Sequence, residues 1–159
     1  MTNDEILGST VLNSWKLVIS RIDKTLSELS DEQLQRQVAP GKNRVFYLLG
    51  HLTATHDRMF PLLGIGERLH SELDEPYIAN PDRVIADPLS ATELRRAWAE
   101  VNDKLIKVFE GFTLEDWLQK HTAVSDEGFI KDPTRNRLAV VMNRTSHASY
   151  HAGQAALTK

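Results

Sequence analysis

The sequence predicts an all-α protein: a four-helix bundle with a long irregular connection between its second and third helices. Three observations predict it. Apolar residues recur at intervals of three and four over long stretches, no alternating run is long enough to build a sheet, and turn-forming residues gather between the periodic stretches. At 159 residues the chain suits one domain with its own core and is short for two, so a single domain over residues 1–159 is expected.

The first helix is expected over residues 4–29, where Leu7, Val11, Trp15, Val18, Ile22 and Leu26 form one apolar stripe. Ser30 and Asp31 end it, and Pro40-Gly41-Lys42-Asn43 is a turn in which Asn43 can cap the next helix. The second helix runs to about residue 60. Its core, Val45-Phe46-Tyr47-Leu48-Leu49-Gly50-His51-Leu52, is apolar on most sides, which argues for burial among neighbours. Pro61 kinks or ends it, and Gly64 and Gly66 confirm the stop.

Residues 64–89 contain Gly64, Gly66, Pro76, Pro81 and Pro88 without a sustained period and read as a long surface connection. Ser90-Ala91-Thr92-Glu93 is a capping-box pattern that opens the third helix, with Leu94, Trp98, Val101, Leu105 and Phe109 on one face and an end near Gly111. Thr113-Leu114-Glu115-Asp116 can cap a short further turn through Leu118, and a polar loop then reaches Pro133. Thr134 can cap the last helix, residues 135 to about 157, whose alanine-rich tail favours helix. Trp15, Trp98 and Phe109 are expected in the core.

Composition excludes several function classes. Acidic and basic residues are mixed along the chain and sum to a formal charge of -3, which leaves no concentrated positive face for nucleic acid. The absence of cysteine removes disulfides, thiolate metal ligands and a cysteine nucleophile. The polar, acidic start and the lack of an apolar stretch of membrane-spanning length lead to the expectation of a cytoplasmic protein with no membrane partner.

The chemistry lies in the histidines. His147 and His151 stand four residues apart, so on a helix they are within about 40° of one another and can chelate one ion. A stable catalytic centre needs a third protein donor and an open position. His51 is the best source, since it sits mid-helix among Leu48, Leu52, Ala54 and Thr55, where an imidazole needs a partner. His56 points about 140° away from His51 and cannot serve the same ion, while His70 and His121 fall in loops. Periodicity alone leaves the inward face of the last helix open. Asn143, His147, Tyr150, His151 and Gln154 can equally form a wet stripe, with Leu138, Val141, Met142, Thr145 and Ala152 toward the core.

His51 within Tyr47-Leu48-Leu49-Gly50-His51-Leu52, the irregular connection, and His147-Ala148-Ser149-Tyr150-His151-Ala152-Gly153-Gln154 near the C-terminus succeed one another in an order that resembles the DinB/YfiT-like metalloenzymes, over essentially the whole chain. The resemblance implies a four-helix bundle with one metal ligand on the second helix and a His-x-x-x-His pair on the last, hence His51, His147 and His151. Gln154 and Tyr150 lie close enough to serve as supporting residues around the ligands. Imidazole donors suit divalent Zn, Ni, Fe or Co.

Two enzymatic readings are open: a metal-dependent hydrolase of a small molecule, or a transferase or isomerase in which the ion activates a low-molecular-weight thiol, the latter implied by the resemblance alone. Ala148 stands where a His-Glu-x-x-His protease has its glutamate, which disfavours that class. Asp57 and Arg58, with Tyr150, are near enough in sequence to contact a substrate and equally suit ordinary surface or core roles. The rival from another class is a non-catalytic metal-binding module, with the extra apolar face of the last helix serving as a homodimer contact.

Overall fold

A computed structural model describes residues 1–159 and is helical throughout, without strands. The long helices are α1 (Asn3–Ser27), α3 (Val45–Asp57), α5 (Ala91–Glu110) and α8 (Arg137–Ala156); shorter ones are α2 (Asp31–Leu34), α4 (Met59–Leu63), α6 (Leu114–Leu118) and α7 (Asp126–Lys131). The long helices close a cycle, α1 against α8 and α5, α3 against α5 and α8. No helix is long and apolar enough to cross a membrane.

Local chemistry explains most of the boundaries. Thr2, Ser30, Ser90 and Thr113 each open a helix through a capping box, the side chain accepting from the backbone N–H three residues on while that residue's side chain accepts from the cap's own N–H. Ser30, expected only to end the first helix, also starts α2. Asn43 does not cap α3. Arg44 holds the cap position without a side-chain bond to the helix, since a guanidinium has no acceptor to offer the first N–H groups; it donates to Asp82 instead. Thr134 does not cap α8 either; Asn136 does, accepting from Ala139 N. The chain breaks at Arg58, Pro61 lies inside α4, and Gly64 ends α4 in the left-handed region at φ 64°.

The apolar stripe of α1 is buried from Trp15 onward, but Leu7 is 45% exposed, and at this end α1 packs on α6 through the close approach of Gly8 to Trp117. Trp15, Trp98 and Phe109 lie in the core as expected. The connection of residues 64–89 is less irregular than expected, since it contains a 3-10 turn (Ser71–Leu73) and a π turn (Glu75–Ala79), both packed on α3. The α7 helix, capped by Ser125, lies in the stretch expected to be only a polar loop.

Buried polar groups pin that connection to α3. Arg44 pairs with Asp82 at 2.6 Å and Asp87 at 2.9 Å, and its Nη1 also donates to Gln35. Tyr77 OH donates to Asp87, and Tyr47 OH to the Asn80 carbonyl. At the other end, buried Asp57 accepts from Arg68 Nε and from the backbone N–H groups of Leu69 and His70, while Arg58 and Arg68 share Asp74. Asp57 and Arg58 therefore anchor the connection.

His56 is fully buried between Trp15 and Trp98, at ring-centroid distances of 4.8 and 5.1 Å. Asn102 commits its amide nitrogen to the Trp98 carbonyl, so its Oδ1 accepts the proton on His56 Nδ1 at 2.8 Å. Burial pushes the His56 pKa from its ordinary 6.5 down to about 3. Below about pH 6.5 the unfolded chain takes up a proton at this position that the folded chain refuses. Stability is therefore lost progressively as the pH falls toward about 3, and His56 adds no pH dependence above its ordinary pKa. We expect His56→Gln, which can still donate to Asn102, to lose less stability than wild type between pH 7.5 and 5 in urea titrations. Equal losses in the two proteins would refute this assignment.

Candidate metal centre

α3 and α8 bring His51, His147 and His151 together. One ligand nitrogen from each ring lies within 4.8 Å of the other two. His147 Nε2 is 3.2 Å from His51 Nε2 and 3.1 Å from His151 Nε2. Tetrahedral coordination at about 2.0–2.1 Å sets ligand nitrogens roughly 3.3 Å apart, so the cluster is near the size a single ion requires.

The protons decide what these nitrogens offer. His51 Nδ1 stands 2.9 Å from the Tyr77 carbonyl, which can only accept, so the neutral ring carries its proton on Nδ1 and presents a lone pair at Nε2. His151 Nδ1 donates in the same way to Gln154 Oε1 at 2.7 Å, and Gln154 Nε2 donates onward to the Tyr150 hydroxyl. His147 Nδ1 is buried without a partner. With its proton there, three lone pairs face one point, an arrangement that repels itself and that a cation relieves. The donor set thus fits a divalent ion, and the Tyr77 and Gln154 oxygens are the outer partners that metal-bound imidazoles require.

Burial also keeps the pair on α8 in the basic form. The His147 pKa is held down to about 4, chiefly by desolvation, with His151, His51 and Arg144 adding to the effect; desolvation lowers His151 as well, against the Gln154 hydrogen bond. A lowered pKa favours the neutral ring in both.

The inward face of α8 is settled by Val141, Ala148 and Ala155, which are buried, while Met142 and Tyr150 are exposed. His147 and His151 stand at the edge of this buried strip, half-buried against α3. Of the residues that the wet-stripe alternative sets toward the core, Met142 is exposed, whereas Val141 is buried and Leu138 and Ala152 pack against the core. A small apolar cavity of about 20 Å³, bordered by Ile22, Leu26, Leu49 and Leu52, backs His151. On its open side a groove of about 570 Å³ is lined by Lys42, Leu48, Tyr150, His151, Gln154 and Leu157.

Two features that position His51 were missed in the sequence. One is Tyr77, whose carbonyl holds the ring from the π turn. The other is Gly50: a Cβ there would come within 2.5 Å of the Tyr77 ring, so the tyrosine lies on α3 only because residue 50 has no side chain. A glycine inside a helix, where it lowers stability by roughly 1 kcal/mol relative to alanine, was the available signal. His56, His70 and His121 do not join the cluster.

Gly50→Ala should displace Tyr77 and release His51, weakening Zn(II) affinity by about 10- to 100-fold, as loss of an outer-shell partner does. His147→Ala, which removes a ligand, should weaken it more. Competition titration with a chromophoric chelator measures both; unchanged affinity in Gly50→Ala would show that the Tyr77 carbonyl does not support the site.

No match to this chain was found among curated proteins. The model of the DinB superfamily, by contrast, matches residues 14–155, a span that includes α3, α8 and all three clustered histidines. Together with the helical fold, that match establishes that the chain belongs to the DinB superfamily.

Proposed function

We propose that this protein is a metal-dependent enzyme acting on a small molecule, with a divalent ion held by His51, His147 and His151. One observation carries the reading: three imidazole nitrogens converge without a fourth protein donor, and one of the rings, His151, lines a groove of about 570 Å³, a volume suited to a small ligand. Three nitrogen donors favour Zn(II), Ni(II) or Fe(II) and leave a coordination position for an outside ligand. When bound, such an ion supplies Lewis acidity sufficient to make water or a thiol nucleophilic near neutral pH.

The residues around the cluster favour the thiol. No Asp or Glu groups with the three histidines, and Ala148, between the two on α8, is buried and inert. Hydrolysis benefits from a protein base that takes a proton from water, and none stands here. A thiol from a small co-substrate, more acidic than water by several pK units, makes less demand for one. Gln154 and the Tyr77 carbonyl keep the ligand rings oriented while the groove admits the two reactants. Transfer or isomerisation dependent on a low-molecular-weight thiol is therefore the preferred reading, and hydrolysis the second.

Protein purified without a metal-affinity tag, loaded with Zn(II), Ni(II) or Fe(II), should turn over epoxide or activated-alkene electrophiles in the presence of a low-molecular-weight thiol. Activity should disappear on chelation and in His147→Ala. Turnover of esters or amides without thiol would instead support the hydrolase, and metal binding without turnover of any of these would support a non-catalytic module.

A further inference from the structure

The hydrogen-bond chain that leaves the centre through His151 ends at Tyr150, and its last hydrogen is free. His151 Nδ1 donates to Gln154 Oε1 at 2.7 Å, which leaves the Gln154 amide nitrogen to donate to the Tyr150 oxygen at 3.3 Å. The phenol oxygen is therefore an acceptor in this chain, and no protein group accepts the phenol's own proton. The ring also meets the His151 ring edge-on, at 5.1 Å between centroids. These two contacts hold an aromatic side chain that is otherwise 64% exposed. Tyr150, His151 and Gln154 all line the same groove. Lys42 and Asn43, its other polar residues, lie on the turn before α3 and make no hydrogen bond to any of the three histidines.

The direction of the chain matters. A hydrogen bond accepted by the phenol oxygen strengthens the one its proton donates, because each bond polarises the next. A cation on the other nitrogen of His151 makes Nδ1–H the better donor and so strengthens the chain at its origin. A neutral donor placed in this way binds an acceptor oxygen, and it speeds a reaction in which that oxygen gains negative charge. Addition of a thiol to an epoxide is such a reaction: a carbon–sulfur bond forms, a carbon–oxygen bond breaks, and its electron pair stays with the oxygen. The thiol proton goes to solvent before attack and the product oxygen takes one from water afterwards, so the phenol keeps its own. Displacement of a halide puts no charge on oxygen and gains nothing from the phenol.

We propose that the Tyr150 hydroxyl, held through Gln154 and His151, is a catalytic residue that donates a hydrogen bond to the oxygen of the electrophile. The substrate is accordingly an electrophile whose oxygen takes up the charge, of which an epoxide is the simplest. The proposal rests on the reading of the cluster as the centre of a thiol-dependent enzyme and adds the class of its second reactant.

The test uses the full-length protein loaded with Zn(II), with 2-mercaptoethanol as the thiol and two electrophiles, propylene oxide and the oxygen-free iodoethane. In Tyr150→Phe the ratio of epoxide to iodoethane turnover should fall on the order of 10- to 100-fold, mainly through kcat. Zn(II) affinity and melting temperature should stay at wild-type levels, since the phenol is not a ligand. Tyrosine labelled with carbon-13 at Cζ gives a readout independent of turnover. The Tyr150 signal, identified by its absence in Tyr150→Phe, should move when Zn(II) is added, and should move less in Gln154→Leu. A ratio unchanged in Tyr150→Phe overturns the proposal and leaves the thiol-dependent enzyme standing. A Tyr150 signal that ignores Zn(II), or responds equally without the Gln154 amide, overturns it as well. If wild type turns over neither electrophile, the enzymatic reading fails and the proposal falls with it.

Discussion

The hydrogen bond from His51 Nδ1 to the Tyr77 carbonyl is the interaction on which the site depends. It fixes which nitrogen of His51 carries the proton, and so turns the Nε2 lone pair toward α8. It also ties a segment distant in sequence to the middle of α3. Several features of the connection between α4 and α5 support that placement: the Arg44 network with Asp82 and Asp87, the Tyr77 hydroxyl on Asp87, and the π turn that lays the tyrosine over Gly50. An imidazole held only by its own helix would rotate freely about its side-chain torsions; held at Nδ1, it is preorganised for a ligand at Nε2.

Two histidines on α3 show how environment divides one residue type between two tasks. His51 lies where α3 meets α8 and keeps one nitrogen free toward its neighbours. His56, five residues later, is turned between two tryptophans and donates to an asparagine of α5. The helix rotation of about 100° per residue separates them, so one helix supplies both a neutral core strut and a site nitrogen without mixing the two. The ionic groups at the far end of α3 satisfy one another: Asp57 pairs with Arg68, and Arg58 and Arg68 share Asp74.

Much of this was legible in the residues. The periodic stripes located the four long helices, the Ser90–Glu93 and Thr113–Asp116 patterns located two caps, and the four-residue spacing of His147 and His151 with a mid-helix His51 pointed to the cluster that the fold assembles. The features that were not legible depend on contacts between distant segments. Asn43 looked like a cap by local chemistry, yet the start of α3 is fixed by Arg44 reaching Asp82, 38 residues away. The polar stripe of α8 could not be assigned inward or outward until α3 was packed against it. Tyr77 carries no local motif, because it acts through its backbone carbonyl.

The central claim is that three imidazoles, one from α3 and two from α8, hold a single ion. X-ray absorption on the Zn(II)-loaded, untagged protein tests it most directly. The account predicts a first shell at about 2.0–2.1 Å with the multiple-scattering signature of three imidazole rings and a remaining position filled by a light atom from solvent. A shell with one imidazole or none, or one made mainly of carboxylate oxygens, would contradict it.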